Sequence, residues 1–229
     1  MDVPFAVILL IPFLAVWISF AFVWWKKPKQ ADTINLLLAF SGAFLLALTF
    51  FELLPEVYHA GNPKHVALFV LAGILLQVFL EFFSKGAEHG HMHHPISENT
   101  FPLMLFLSLS IHALVEGVPL DGTNSMLYGI VIHKIPVTLI LSIFLVNSKM
   151  KPSFVVLFIA LFSLMTPLGT YLAAHSPWVD NHGFLLNSLA IGVFLHISTI
   201  ILFESSKGHS FDFKKLIVIV LGVAVAYFI

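Results

Sequence analysis

No cysteine occurs in the 229 residues. That absence excludes disulfides, thiolate metal sites and cysteine nucleophiles together, and it leaves any metal site to nitrogen and oxygen ligands. Arginine is missing too, so all eleven basic residues are lysine. Charged residues of both signs make up only 10% of the chain, against ~25% in a soluble domain. A formal net charge of −1 gives no electrostatic case for nucleic acid or another polyanionic partner. What is present is apolar: 59% of side chains are hydrophobic and the mean hydropathy is +0.99. A soluble globular protein is excluded, and the bilayer must be the solvent.

Apolar stretches of roughly 17–25 residues, the length of a bilayer crossing, predict an all-α membrane protein of eight transmembrane helices. They fall near 3–25, 34–55, 66–83, 101–120, 126–146, 154–174, 184–203 and 216–229, in one transmembrane domain over 1–229. The third and the last are short for a full crossing. The first carries Asp2 where a signal peptide has a basic segment, and Lys26, Lys27 and Lys29 follow it, so it reads as a retained anchor. Juxtamembrane cations stay on the cytoplasmic side. Lys26, Lys27, Lys29, Lys85, Lys149, Lys151, Lys207, Lys214 and Lys215 lie in odd-numbered loops, and only Lys64 in an even one. Odd loops are therefore expected inside, with both termini outside, and Lys134 is stranded within the fifth span.

The longest loop, Ser84 to Thr100, places His89, His91, His93 and His94 on a cytoplasmic segment, a composition suited to weak, transient binding of Zn²⁺, Ni²⁺ or Cu²⁺ or simply to a solvated loop. Gly42, Phe44, Leu45 and Thr49 of the second span recur as Gly192, Phe194, Leu195 and Thr199 of the seventh. Those spans cross in opposite directions in the expected topology, as an inverted repeat requires.

An ionisable group in hydrocarbon is costly unless it is paired or faces water, so each is a functional candidate. His112 and Glu116 of span four are one helical turn apart on one face; His133 and Lys134 lie in span five. Taking the two spans as antiparallel neighbours puts His112 and His133 level, ~11–12 Å from the outer end at 1.5 Å per residue. Two imidazoles and a carboxylate, His112, Glu116 and His133, then form a divalent-metal site with positions left for water. Pro119 and Pro136 are expected to break both helices beside it, freeing carbonyls that are tolerated where they line a cavity. The bland alternative is that each histidine is a satisfied interhelical group and each proline a kink. Glu52 of span two and His196 of span seven are candidates for a cation path. Glu56 and Glu204, nearer the span ends, are also explained by snorkelling. Asp121, Asp180, His175 and His182 are expected on outer loops. Trp17, Trp24 and Trp25 read as packing or interfacial anchors.

Several of these features together resemble the ZIP (Zrt/Irt-like) family of divalent-metal transporters. Span two, FSGAFLLALTFFELLPEVYHA, is similar to the family's glycine-containing second helix ending in a Leu-Pro-Glu turn, and a His-rich loop follows span three. Span four carries the family's His-x-x-x-Glu-Gly as His112, Glu116 and Gly117, and span five the start of its His-Glu-x-Pro-His-Glu as His133, Ile135 and Pro136. TPLG at Thr166 to Gly169 and GVFLHIS in span seven also resemble family runs. The resemblance implies eight spans in a 3+2+3 arrangement with an inverted repeat, and movement of Zn²⁺, Fe²⁺ or Mn²⁺ as substrate into the cytoplasm, with no cofactor. It also implies elevator-like motion and a homodimer.

The departures from the family's pattern are specific. Lys134 and Val137 stand at ligand positions of the span-five motif, Thr138 at its sixth position, and Ala113 at an often polar position after His112. We read Lys134 as a tethered ammonium beside Glu116 in place of a second metal, leaving a mononuclear site. The loss at Val137 admits a degenerate, non-transporting homologue acting as metal sensor or scaffold. An intramembrane zinc hydrolase recruiting His112, His133 and His196, with Glu116 as general base, is a further class, and a retinal protein built on Lys134 another. Lysine as the sole cation and the lack of a targeting feature point to a bacterial inner (plasma) membrane.

Overall fold

The computed structural model describes residues 3–28, 32–84, 101–120, 124–203 and 213–229. Among them every regular element is helical. The helices are α1 (Phe5–Lys26), α2 (Asp32–Ala60), α3 (Pro63–Ser84), α4 (Leu103–Glu116), α5 (Asn124–Asn147), α6 (Pro152–Ala174), α7 (Pro177–Phe203) and α8 (Phe213–Phe228). Six are long and apolar enough to cross a membrane; α4, with 14 residues, and α8, with 16, are shorter.

The surface and interior are arranged for a bilayer. Ile18, Leu75 and Phe82 are among the large apolar side chains on the outside, whereas Glu116, Lys134, His112 and His133 are buried. Lipid satisfies the first set, and only protein or a polar cavity satisfies the second. The chain is a helical integral membrane protein.

Helix boundaries follow local chemistry, and some differ from expectation. The third helix is not short: Asn62 Oδ1 accepts the Lys64 N–H at 3.0 Å and Pro63 takes the first helical position, which starts α3 three residues early. Pro177 likewise starts α7 well before residue 184, so Asp180 and His182 belong to a helix and not to a loop. The prolines act differently from expectation as well. Pro136 lies inside an uninterrupted α5, where buried neighbours such as Val137 and Ile140 hold the helix despite one lost hydrogen bond. Pro119 lies beyond the end of α4, which Gly117 closes with its N–H directed at Ala113 and Leu114 carbonyls. The distortions occur elsewhere. Pro55 cannot donate to the Phe51 carbonyl, and α2 widens into a π turn at Thr49–Leu53, so its Leu-Pro-Glu segment continues as helix rather than ending it. Pro167 cannot donate to the Ser163 carbonyl, and α6 is interrupted at Leu164.

Packing is most extensive between α3 and α7 and between α2 and α8, with α2 also on α7. A second set joins α1 to α5 and α6, and α6 to α4. Contacts of α2 with α5 and of α3 and α7 with α4 link the sets. Close approach needs small residues: a Cβ on Gly73 of α3 would lie 2.0 Å from the Leu189 carbonyl oxygen, and one on Gly192 of α7 2.0 Å from that of Val70. The consecutive helices α4 and α5 are not packed along one another, contrary to the neighbour assumption. α4 rests on α3, α6 and α7, and α5 chiefly on α1 and α2. Side chains fill the space between them, Leu109 and Leu141 in one apolar cluster and a charged pair nearer the α4 C-terminus.

Candidate cation centre

That pair is Glu116, at the last turn of α4, and Lys134, in the middle of α5. The Lys134 Nζ donates to Glu116 Oε2 at 2.6 Å, with side chains 4% and 2% exposed. A charge-assisted bond of this length is the arrangement a buried carboxylate and ammonium require. The ammonium also lies 5.4 Å from the centroid of the Phe162 ring of α6, within cation–π range.

The surroundings of Glu116 are fixed by α6. The Thr166 hydroxyl lies 3.0 Å from the Ala113 carbonyl oxygen and 3.4 Å from Glu116 Oε2. One turn on, the Thr170 hydroxyl donates to the Gly117 carbonyl at 2.8 Å. The helices touch at the backbone here: a Cβ on Gly117 would lie 2.2 Å from the Thr166 carbonyl oxygen, and one on Gly169 2.0 Å from that of Leu114. Interhelical hydroxyl bonds of this kind anchor helices in a membrane.

His112 and His133 are both buried. Their Nδ1 atoms, and Glu116 Oε1, are buried without a hydrogen-bond partner. Unsatisfied polar atoms in hydrocarbon are costly, so each of these three would be stabilised by a polar partner. Among the described residues no three His, Asp or Glu side chains are grouped closely enough to hold a metal ion. The departures from the family motif are accommodated by packing. Val137 joins Ile140, Val193 and Ile197 in an apolar cluster, and Ala113 is buried against α5 and α6 residues.

The path candidates have partners of their own. Glu52, in the π turn of α2, accepts a hydrogen bond from the Ser125 hydroxyl at the start of α5. His196 Nε2 is 3.6 Å from Glu81 Oε2 of α3, which ties it to that helix. His175 stacks on Tyr171 and His182 on Trp178. Trp17 packs inward, its Nε1 donating to Ser163 at 3.2 Å. Asp121, Glu204 and the loop histidines His89, His91, His93 and His94 lie outside the described residues, as does the side chain of Asp180. Sequence reasoning missed Thr166, Thr170 and Glu81. Thr166 opens the TPLG run and Thr170 follows it, and the glycine of that run allows the close α4–α6 approach.

The fold and this centre define a class: a helical membrane bundle whose interior holds a carboxylate, an ammonium and two imidazoles. The ZIP zinc transporter family profile matches residues 84–229, and the chain belongs to that family. It is similar to zinc transporter ZIP1 of Danio rerio, 32% identical over 122 residues, covering 48% of this chain and 40% of that protein. Zinc transporter ZIP1 of Takifugu rubripes is 29% identical over 125 residues, with 48% and 40% covered. Protein zntD of Dictyostelium discoideum is 30% identical over 147 residues, with 55% and 22% covered. The matches therefore span less than half the length of these relatives.

Proposed function

We propose that this chain moves a divalent cation, Zn²⁺ ahead of Fe²⁺ and Mn²⁺, across a membrane into the cytoplasm. The cation passes through a single site of His112, Glu116 and His133 between α4 and α5, and the Lys134 ammonium stands where a second metal would sit. The observation that carries this reading is the buried Glu116–Lys134 pair at 2.6 Å, together with the buried His112 and His133, whose Nδ1 atoms, like Glu116 Oε1, have no hydrogen-bond partner. Two nitrogens and one carboxylate oxygen suit zinc with water completing the shell. A site that must release its ion is better served by open positions than by four protein ligands. Two relatives are named as zinc transporters, which supports the choice of ion.

The chain forms one eight-span transporter domain, 1–229, in a 3+2+3 arrangement, odd-numbered loops inside and both termini outside. The inverted repeat is supported by paired details. Phe44 and Phe194 are both buried; Thr49 bonds to the Leu45 carbonyl at 2.8 Å and Thr199 to that of Leu195 at 2.7 Å. Gly73 of α3 presses on α7 at Gly192, and Gly222 of α8 presses on α2 at Phe40 and Ala43, beside Gly42. The His-rich loop collects metal weakly on the cytoplasmic side. A bacterial plasma membrane and a homodimer complete this reading.

The second reading, a non-transporting homologue that senses metal or serves as scaffold, is favoured by Val137, whose apolar packing removes one ligand position. Uptake of Zn²⁺, Fe²⁺ and Mn²⁺ into sealed proteoliposomes separates the two. Saturable uptake with Zn²⁺ fastest is the expected result; no uptake of any of the three ions by folded protein selects the second reading.

A further inference from the structure

We propose that two facing rows of polar side chains, on α4 and α5, form a closed seam that holds water inside the bundle, sealed at each end by a pair of apolar residues. On α4 the row is Ser108, His112 and Glu116, and on α5 it is Lys134, Thr138 and Ser142. Each row steps by four residues and so keeps to one helix face. All six side chains are buried, none more than 4% exposed. The Glu116–Lys134 bond at 2.6 Å sets the register of the two rows. Counting back along α4 and forward along α5 brings Leu109 level with Leu141, and these two share an apolar cluster. The same register puts His112 level with Thr138, and Ser108 level with Ser142.

The polar atoms of these rows are short of partners. His112 Nδ1, Thr138 Oγ1 and Ser142 Oγ are buried and make no hydrogen bond. Ser108 donates to the Leu105 carbonyl at 3.2 Å, and its oxygen can still accept. Other helical hydroxyls turn back on their own helix: Thr49, Ser188 and Thr199 donate to the carbonyl four residues earlier at 2.8, 2.6 and 2.7 Å. Thr138 and Ser142 do not, although the same bond is open to them. A group of buried hydroxyls and an imidazole left in this way is stabilised by water, which donates and accepts and can bridge one row to the other.

The ends of the seam are apolar. One step beyond Ser108 and Ser142 the register pairs Leu105 with Leu145, buried in the cluster that holds Leu109 and Leu141. Beyond the Glu116–Lys134 pair it pairs Leu120 with Ile130, buried in another cluster with Met126 and Leu127. Water is therefore kept between two dry rungs, and those rungs are the barriers that a hydrated cargo has to pass. The seam needs only hydroxyls, imidazole and the charged pair, so it does not depend on a cation being held by His112, Glu116 and His133.

Radiolytic hydroxyl-radical labelling of the full chain in detergent, with chelator and no metal, tests the seam, because radicals arise from the bound water itself and mark the side chains beside it. The chain has no cysteine, so Thr138→Cys, Ser142→Cys and Met126→Cys each place one thiol where mass spectrometry reads it. Labelling of the first two is expected to be about tenfold faster or more than that of Met126→Cys, since sulfur oxidation follows access. Should a variant not fold, native His112 against native Met126 gives the same comparison. Thr138→Cys and Ser142→Cys labelled as slowly as Met126→Cys, in protein with the wild-type unfolding temperature, would show a dry seam and overturn the proposal. Equally fast labelling at all three would overturn the apolar seal. Either failure leaves the cation site to be judged by uptake.

Discussion

Lys134→Met is expected to destabilise the protein by about 3–5 kcal/mol, the cost of removing one partner from a buried ion pair. The Glu116 carboxylate lies among apolar side chains and two histidines, and no other ammonium or guanidinium contacts it among the described residues. Met keeps most of the length and bulk of the lysine stem, while the charge and its cation–π contact with Phe162 are lost. Adding Glu116→Gln to Lys134→Met removes the stranded charge, and most of the lost stability is expected to return. Such non-additivity is the signature of direct coupling. Thermal unfolding in detergent of the two single variants and the double variant checks this. Wild-type stability in Lys134→Met would mean that the ammonium does not balance Glu116.

A larger change is expected when the charge at this position is reversed. Lys134→Glu sets a second carboxylate beside Glu116, 2.6 Å from where the ammonium now sits. Two anions facing each other in a low-dielectric interior repel strongly, so without metal the variant is expected to unfold well below the wild type. A divalent cation bridging the two carboxylates relieves the repulsion, and binding to the native state alone raises stability by mass action. The variant is thus expected to bind two Zn²⁺ per chain where the wild type binds one, with a zinc-dependent rise in melting temperature of ten degrees or more for a coupling on the order of several kcal/mol. One Zn²⁺ per chain in both proteins would contradict the idea that the ammonium occupies a second metal position.

Much of the helix layout was legible in the sequence because apolar runs in a bilayer are long and the polar breaks between them short. The Glu116–Lys134 pair was legible for a related reason, since a lysine in hydrocarbon must find an anion and Glu116 is within reach on the preceding span. The effects of proline were not. Pro136 leaves α5 intact because its flanks are packed on both sides, whereas Pro55 and Pro167 distort α2 and α6. Both kinds read identically in sequence, and only tertiary packing separates them. The assumption that a short connection makes α4 and α5 packed neighbours also failed, because α4 is drawn onto α6 by Gly117 and Gly169. That same contact brings Thr166 to Glu116 from 50 residues away, a proximity with no periodic signal. His196 pairs with Glu81 because α3 and α7 are clamped together at Gly73 and Gly192, which a single-span reading could not foresee.

The most direct measurement is Zn²⁺ uptake into proteoliposomes by wild type, His112→Ala and Glu116→Gln, each checked for wild-type unfolding temperature. A cation path through these side chains predicts rapid saturable uptake by the wild type and its loss, by about a hundredfold or more, in both variants, since each removes one of only three protein ligands. Uptake by folded Glu116→Gln at the wild-type rate would contradict it, and would place the cation path elsewhere in the bundle.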